Sequence, residues 1–145
     1  MSLSDWLKFG WLTEHQPTAS EIRDLFALVE RDLADAEVEA LSADWRLNIA
    51  YNAALQAATA ALAASGFRAS RESHHYRVIQ SLGSTIGAPP GLVARFDLFR
   101  KKRNLGGYER AGAVSDQEAR EMLTLARDLA AGVRRWLEAN HPDLL

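Results

Sequence analysis

Residues 50–64 read AYNAALQAATAALAA, and this run contains nine alanines. Alanine has the highest helix propensity of the amino acids, and its short side chain lets a neighbouring helix approach closely. Ser42 or Asp44 is suited to cap the start of such a helix, and Gly66 follows Ser65 as a typical C-cap. The sequence therefore predicts a helix that continues to Ser65 and lies at the centre of a helical bundle.

One face of this helix carries a stripe of core-type side chains at helical spacing. Its members are Tyr51, Leu55, Ala58 and Leu62. Asn48 and Asn52 lie one turn apart, so they are placed to bond across to another helix. Asparagines in such positions are more often structural polar groups than catalytic ones.

A capping box, Thr18-Ala-Ser-Glu21, predicts a preceding helix from about Ser20 to about Glu37. Four acidic residues mark its outer face, which is typically solvated. They are Asp24, Glu30, Asp32 and Asp35. Ahead of this helix an aromatic leader, residues 1–17, is too apolar to stay in water. We expect it to cover an edge of the core, or alternatively to dock a partner.

Three further helices are predicted after Gly66. The first turns Tyr76, Ile79 and Leu82 inward. Pro90 suits the first turn of the next. The last begins at a second capping box, residues 115–118, and runs to Asn140. We expect one domain over residues 1–145, with the bundle at 18–140. The fold class is all-α, a four- to five-helix up-and-down antiparallel bundle, since no strand alternation is visible and connections are short.

Composition narrows the classes of function. There is no cysteine, which excludes disulfides, cysteine zinc sites and a cysteine nucleophile. No apolar run approaches about 18 residues and no signal peptide is evident, so we expect a cytoplasmic chain without a membrane span. We also expect no cofactor and no metal. Adjacent histidines point about 100° apart on a helix, so His74 and His75 cannot chelate an ion as a pair.

Charge is distributed unevenly along the chain. Residues 1–44 hold ten acids and three bases, a balance of −7, so residues 45–145 carry +5 of the total of −2. Within residues 95–110 six bases face two acids. A local excess of this kind attracts phosphates, although an acidic total argues against a general nucleic-acid coat.

The basic stretch follows an apolar stripe. Leu92, Phe96, Phe99 and Arg103 share one helix face at steps of four, three and four residues, so Arg103 continues the stripe. We expect these four residues at a dimer interface. Arg103 would then line the seam. The alternative is that the basic residues are only the solvated last turn of a helix, where cations are favoured.

Several of these features together resemble the HEPN superfamily of small helical bundles. The resemblance covers about residues 20–139 and is carried by Ala50-Tyr-Asn-Ala-Ala-Leu55, Gly66, His75, Arg100-Lys-Lys-Arg-Asn104 and Tyr108. It implies a homodimer. In active members an Arg, a polar residue and a following His meet in the dimer cleft and cut RNA without a metal. Many members are paired with a nucleotidyltransferase in toxin–antitoxin modules.

The motif is incomplete in this chain. Arg103 matches the Arg and Asn104 the polar neighbour, but Tyr108 stands where the His would fall. A tyrosine with an ordinary pKa near 10 is a poor base at neutral pH. We therefore assign no catalytic residue, and keep Arg103, Asn104 and Tyr108 as the catalytic candidates.

Three functions stay open. The first is a non-catalytic binding module in which Arg100, Arg103, Asn104 and Tyr108 hold a nucleotide, an RNA phosphate or a partner protein such as an antitoxin or nucleotidyltransferase. The second is a divergent metal-independent ribonuclease, helped by His75 if the fold brings it near. The third is a purely structural dimer.

Overall fold

A computed structural model describes residues 2–104 and 112–145, without the side chain of Asn104. Within these ranges six α-helices form the bundle, so the predicted all-α fold is confirmed. They are α1 (Leu3–Lys8), α2 (Ala19–Asp35), α3 (Ala43–Ala64), α4 (His74–Thr85), α5 (Pro90–Asn104) and α6 (Asp116–Asn140). Two short strands, β1 (Leu12–Glu14) and β2 (Phe67–Ala69), and a 3-10 turn, Pro142–Leu144, complete them.

The alanine-rich helix α3 is the central element, as predicted. It packs against α2, α4, α5, α6 and β2, and its buried residues surround the helix. A helix that is apolar on all sides has to be enclosed, and its many alanines keep the neighbouring helices close. Helix α3 thereby contacts both the acidic α2 and α5, which ends in the basic residues.

Side-chain caps fix several helix ends. The side chain of Ser42 accepts a hydrogen bond from the backbone amide of Trp45 at the start of α3. Gly66 has a positive φ of 95° just beyond the end of the helix. The predicted capping box at residues 115–118 is present with both of its hydrogen bonds. The predicted box at α2 is only half formed, because the carboxylate of Glu21 accepts instead from Nε2 of His15 at 2.8 Å.

Ion pairs tie α2 to α6 in antiparallel orientation. Arg134 donates to Glu30 at 2.6 Å. Arg127, seven residues before Arg134, pairs with Glu37, seven residues after Glu30. These pairs are exposed, so each adds little to stability on its own. Their spacing nevertheless shows that the two helices run in opposite directions beside α3.

Asp32 departs from the predicted solvated face of α2. Its side chain is buried and accepts a hydrogen bond of 2.6 Å from Asn52 on α3 and one of 3.0 Å from Arg31. Asn52 thus bonds across to another helix, as expected, whereas Asn48 bonds within its own helix to a backbone carbonyl. Asp32 follows the buried Val29 by three residues and therefore shares its helix face, which packs on α3. The side-chain amide of Asn52 allows the carboxylate to be buried there.

The aromatic leader covers an edge of the core. Trp6 and Leu12 are buried, and the guanidinium of Arg77 lies 3.6 Å from the ring centroid of Trp11. Its second half forms β1, which pairs antiparallel with β2 in the register Leu12↔Ala69. Strands of three residues are too short to show alternation, so this ribbon was not predicted from the sequence.

Helix α4 presents a different face from the one predicted. Ile79 and Leu82 are buried as expected, but Tyr76 is exposed and Val78 takes its place in the core. The helix begins at His74, after β2 and a four-residue connection at 70–73. Among the described helices none combines the length and apolarity needed to cross a membrane.

Candidate functional site

The last turn of α5 contains four consecutive basic residues, and they differ in their partners. Nε of Arg100 donates to Oδ1 of Asp97 at 2.7 Å, and Nζ of Lys101 lies 3.8 Å from the other oxygen of the same carboxylate. Nζ of Lys102 lies 3.3 Å from Glu118 on α6. The local positive charge is therefore partly balanced inside the protomer.

Arg103 lies against the central helix. Its guanidinium carbon is 5.2 Å from the ring centroid of Tyr51, which is almost fully buried and also meets the ring of Phe96 edge-on at 5.6 Å. A cation over an aromatic face gains electrostatic attraction, more so where the ring is shielded from water. Arg103 is half-buried, in keeping with its position at the end of the apolar stripe.

The hydroxyl of the same tyrosine reaches the first turn of α4. Tyr51 Oη lies 3.2 Å from Nδ1 of His75, and the two rings are 5.9 Å apart. His75 is half-buried. Tyr51 therefore touches Arg103 with its ring face and His75 with its hydroxyl, and brings residues of α5 and α4 together.

Burial and the nearby cations set the protonation of this pair. Burial raises the pKa of Tyr51 well above its ordinary value, against the opposing influence of Arg103 and Arg100, so the hydroxyl keeps its proton. The pKa of His75 is lowered by burial first and then by Arg103, His74 and Arg100. We infer a neutral His75 whose Nδ1 accepts from Tyr51, because no other acceptor for this hydroxyl is found among the described residues. The remaining nitrogen, Nε2, then carries the hydrogen.

A solvent-open pocket adjoins this network, and we name it the basic cleft. It has a volume of about 570 Å³ and is lined by Arg71, Ser73, His74, His75, Tyr76 and Arg100. The guanidinium of Arg100 lies 5.5 Å from the ring of Tyr76 at its edge. Because its lining includes two arginines, two imidazoles and no carboxylate, the cleft is suited to an anion.

Ser73 turns the chain into α4 at the wall of the cleft. It adopts a left-handed conformation, with φ 54° and ψ 36°, and its side chain caps no backbone amide. This conformation costs a non-glycine residue roughly 1 kcal/mol or more. The turn orients His74 so that Nδ1 donates back to the carbonyl of Ala69 at 3.1 Å.

The structure brings together part of the predicted site. Arg100 and Arg103 lie close to each other. His75 lies near them, as the ribonuclease alternative requires. Tyr108 and the side chain of Asn104 lie outside the described residues. Phe96 and Phe99, predicted at a dimer interface, are buried in the core of the protomer.

Tyr51 is a residue of the candidate site that sequence reasoning missed, as are the cleft-lining Arg71, Ser73 and Tyr76. Its place on the apolar stripe of α3 marked it only as a core residue. A signal was present, because a tyrosine within an alanine-rich run has a hydroxyl that needs a partner when the helix is buried. Only the fold shows that this partner is His75, 24 positions along the chain.

No metal site accompanies the cleft in the described part of the chain, where no group of three or more acidic or histidine side chains could hold an ion. The rings of His74 and His75 are 6.1 Å apart and inclined by 63°.

No protein-family model, curated protein or solved structure matches this chain. The HEPN resemblance thus rests on the sequence motifs and remains a prediction. What the cleft binds has to be argued from its side chains.

Proposed function

We propose that this chain is a HEPN-like helical binding module, without catalytic activity, whose basic cleft binds the phosphate of a nucleotide or of RNA. The observation that carries the proposal is that Arg100 and His75 line the basic cleft, while Arg103 lies over the ring of Tyr51, whose hydroxyl contacts His75. A guanidinium offers a planar pair of donors that matches two phosphate oxygens. The Nε2–H of a neutral His75 adds a third donor.

The hydrogen bond from Tyr51 favours binding over catalysis. A general base needs a free lone pair at the nitrogen that faces the substrate. In the tautomer inferred for His75 the lone pair is at Nδ1 and accepts from Tyr51, so Nε2 is a donor. A donor can hold a phosphate oxygen but cannot take the proton of a ribose hydroxyl.

The binding proposal is tested by titrating ATP and a short single-stranded RNA into the protein at two ionic strengths. We expect Arg103→Ala to weaken binding at least about tenfold, since a charge-assisted hydrogen bond contributes about 1.5–3 kcal/mol. Arg103→Lys should cost nearly as much, because an ammonium lacks the planar pair of donors. Lys101→Ala is the matched control, as its ammonium is exposed and close to Asp97.

Two results would contradict the binding proposal. Equal losses for Arg103→Ala and Lys101→Ala would indicate diffuse attraction to a charged surface. The absence of saturable binding of either ligand at low salt would leave Arg103 with a structural role only. Both outcomes can be read from the same titration series, provided that circular dichroism shows each variant to be folded.

We further propose that the module acts as a homodimer in the cytoplasm, with an antitoxin or nucleotidyltransferase as partner. The exposed Lys101 near the end of α5 and the exposed acids Asp24, Glu30 and Asp35 of α2 support it, because charged groups of opposite sign steer protein association. Co-expression with the products of the neighbouring genes, followed by affinity purification, tests the partner. A chain recovered alone under conditions in which both proteins are folded would contradict it.

A metal-independent ribonuclease is the second candidate, favoured by the position of His75 beside Arg103. If the Tyr51 hydroxyl reverses its bond, Nε2 of His75 gains a lone pair. Nε2 could then take the proton of a 2′-hydroxyl while that oxygen attacks phosphorus. The bond from phosphorus to the 5′-oxygen breaks, the 5′-oxygen takes a proton from water, and a 2′,3′-cyclic phosphate remains. Cleavage that resists chelator and is lost in both His75→Ala and Arg103→Ala would establish this activity. No cleavage above background would exclude it for the RNA used.

A further inference from the structure

A second pocket lies between α2, α3, β2 and α4 and shares only His74 with the basic cleft. It is more enclosed than the cleft, and its volume is about 220 Å³. This is the space of about seven water molecules in the liquid, which suits a ligand of fewer than about ten non-hydrogen atoms. Pockets for drug-sized ligands are larger, at about 300–1,000 Å³.

The floor of this pocket is apolar. Leu62, Ala63 and Val78 line it from the core and are buried. Leu25 and Phe67 line it while remaining half-buried. Apolar surface in a concave site gains free energy when a ligand's hydrocarbon group displaces water from it. A ligand should therefore carry a branched aliphatic group of moderate size.

Hydrogen-bond acceptors lie on the α2–α3 side of the pocket. The carboxylate of Glu21 contacts Nε2 of His15 and keeps lone pairs for another donor. Gln56 donates its amide nitrogen to Asn52, which leaves its carbonyl oxygen available. Thr59 donates to a backbone carbonyl and retains its own acceptor capacity. This side is suited to an ammonium group.

Hydrogen-bond donors lie on the opposite wall, formed by β2 and α4. Arg68 is exposed and has no ion-pair partner in the described part of the chain. His74 also lines this wall, and its Nδ1 already donates to the carbonyl of Ala69. The guanidinium of Arg68 is a fork that matches a carboxylate.

We propose that this pocket binds a free apolar α-amino acid of the size of valine or leucine. Its ammonium would face Glu21 and Gln56, its carboxylate would face Arg68, and its side chain would lie on the floor formed by Leu62 and Val78. The separation of acceptors and donors on two walls is what selects a zwitterion. A fatty acid would leave the acceptors without a donor, and an amine would leave Arg68 without its anion.

The test uses the purified chain and isothermal titration calorimetry with L-leucine. Two analogues each lack one charge: 4-methylpentanoate has no ammonium, and 3-methylbutylamine has no carboxylate. We expect L-leucine to bind with a dissociation constant on the order of millimolar or below, as its small size allows. Each analogue should bind at least about tenfold more weakly.

Arg68→Gln is the main variant, since this exposed side chain can be shortened without disturbing the core. It should weaken the binding of L-leucine at least about tenfold. The matched variant Arg23→Gln, at an exposed arginine of α2 that does not line the pocket, should leave the affinity unchanged. No saturation with L-leucine up to about 20 mM would overturn the proposal. Equal affinity for L-leucine and for either of the two analogues would also overturn it, as would equal losses of affinity in the two arginine variants. Unchanged thermal unfolding confirms that each variant is folded.

Discussion

The hydroxyl of Tyr51 lies 3.2 Å from Nδ1 of His75, so a residue of the central helix contacts one of the two ring nitrogens of a cleft imidazole. The bond joins α3 to the first turn of α4. Arg103 covers the face of the same tyrosine at 5.2 Å. A change at Tyr51 should therefore affect both His75, which lines the cleft, and Arg103.

Tyr51→Phe removes the hydroxyl and keeps the ring under Arg103. We expect the free energy of unfolding to fall by about 0.5–1.5 kcal/mol, the net contribution of an ordinary hydrogen bond. The larger effect should be on His75, which loses the donor that fixes its tautomer. Nitrogen-15 chemical shifts of the imidazole should move from an Nε2–H form toward a mixture of the two tautomers.

Tyr76→Phe provides the matched control for that measurement. Tyr76 is exposed at the edge of the cleft, and its ring contacts Arg100 rather than the buried pair. Its hydroxyl should therefore be dispensable for both stability and the His75 spectrum. Identical spectra for Tyr51→Phe and the unmodified protein would show that the hydroxyl does not set the tautomer.

The lowered pKa of His75 makes the stability of the protein depend on pH. The imidazole binds a proton more readily in the unfolded chain, whose histidine has a pKa near 6.5, than in the folded one. The unfolded state thus holds more protons between the folded and unfolded pKa values, and stability rises with pH in that window. His75 contributes its full share above about pH 6.5, and this share is lost as the pH falls through the folded pKa.

Denaturant unfolding between pH 7.5 and 5.5 measures this dependence. His75→Gln removes the titrating group, so the fall in unfolding free energy on acidification should be smaller in the variant than in the unmodified protein. His74→Gln is the control, because His74 is exposed and belongs to the same first turn of α4. Equal pH dependence in the unmodified protein and His75→Gln would contradict the assignment.

The bundle could be predicted from the sequence because each long helix carries a local signal. The alanine run, the caps at Ser42 and residues 115–118, and Pro90 each depend on residues within one or two turns. The β1–β2 ribbon could not, because its pairing joins residues 57 positions apart, as in Leu12↔Ala69, and its strands have only three residues. Pairing over such a distance leaves no periodic signal in either segment.

The candidate site was predictable in part for the same reason. Arg100 and Arg103 stand out because a basic cluster at a helix end is visible in the sequence. The contribution of His75 depends on how α4 returns to the middle of α3, which no local pattern reports. Asp32 illustrates the reverse error, since an acidic residue in a charged helix face is typically solvated, yet Asn52 on the neighbouring helix provides a buried partner.

Asp32→Ala should destabilise the protein more than a change at any exposed acid of α2. It removes the partner of Asn52 at a position where water is largely excluded, and an unsatisfied buried group costs about 1–3 kcal/mol. Asp24→Ala on the exposed face should change stability by no more than about 0.5 kcal/mol. Chemical denaturation of both variants decides this, and equal effects would mean that the buried pair adds nothing beyond a surface acid.

The predicted dimer interface on α5 needs a sharper test, because two of its four residues are already used by the protomer. Phe96 is fully buried against Tyr51, so Phe96→Asp should unfold the protein and reveal nothing about assembly. Leu98 lies on the outer face of the same helix with 62% of its surface exposed. Its apolar side chain is available to a second copy and can be changed without touching the core.

Leu98→Asp therefore separates folding from assembly. If α5 forms the dimer contact, the unmodified protein should be a dimer at tens of micromolar by multi-angle light scattering, and Leu98→Asp a monomer with nearly unchanged thermal stability of the protomer. Val38→Asp is a control, being an exposed apolar residue just after α2. A dimer that survives Leu98→Asp but not Val38→Asp would move the interface away from α5, and Arg103 would then act within one protomer.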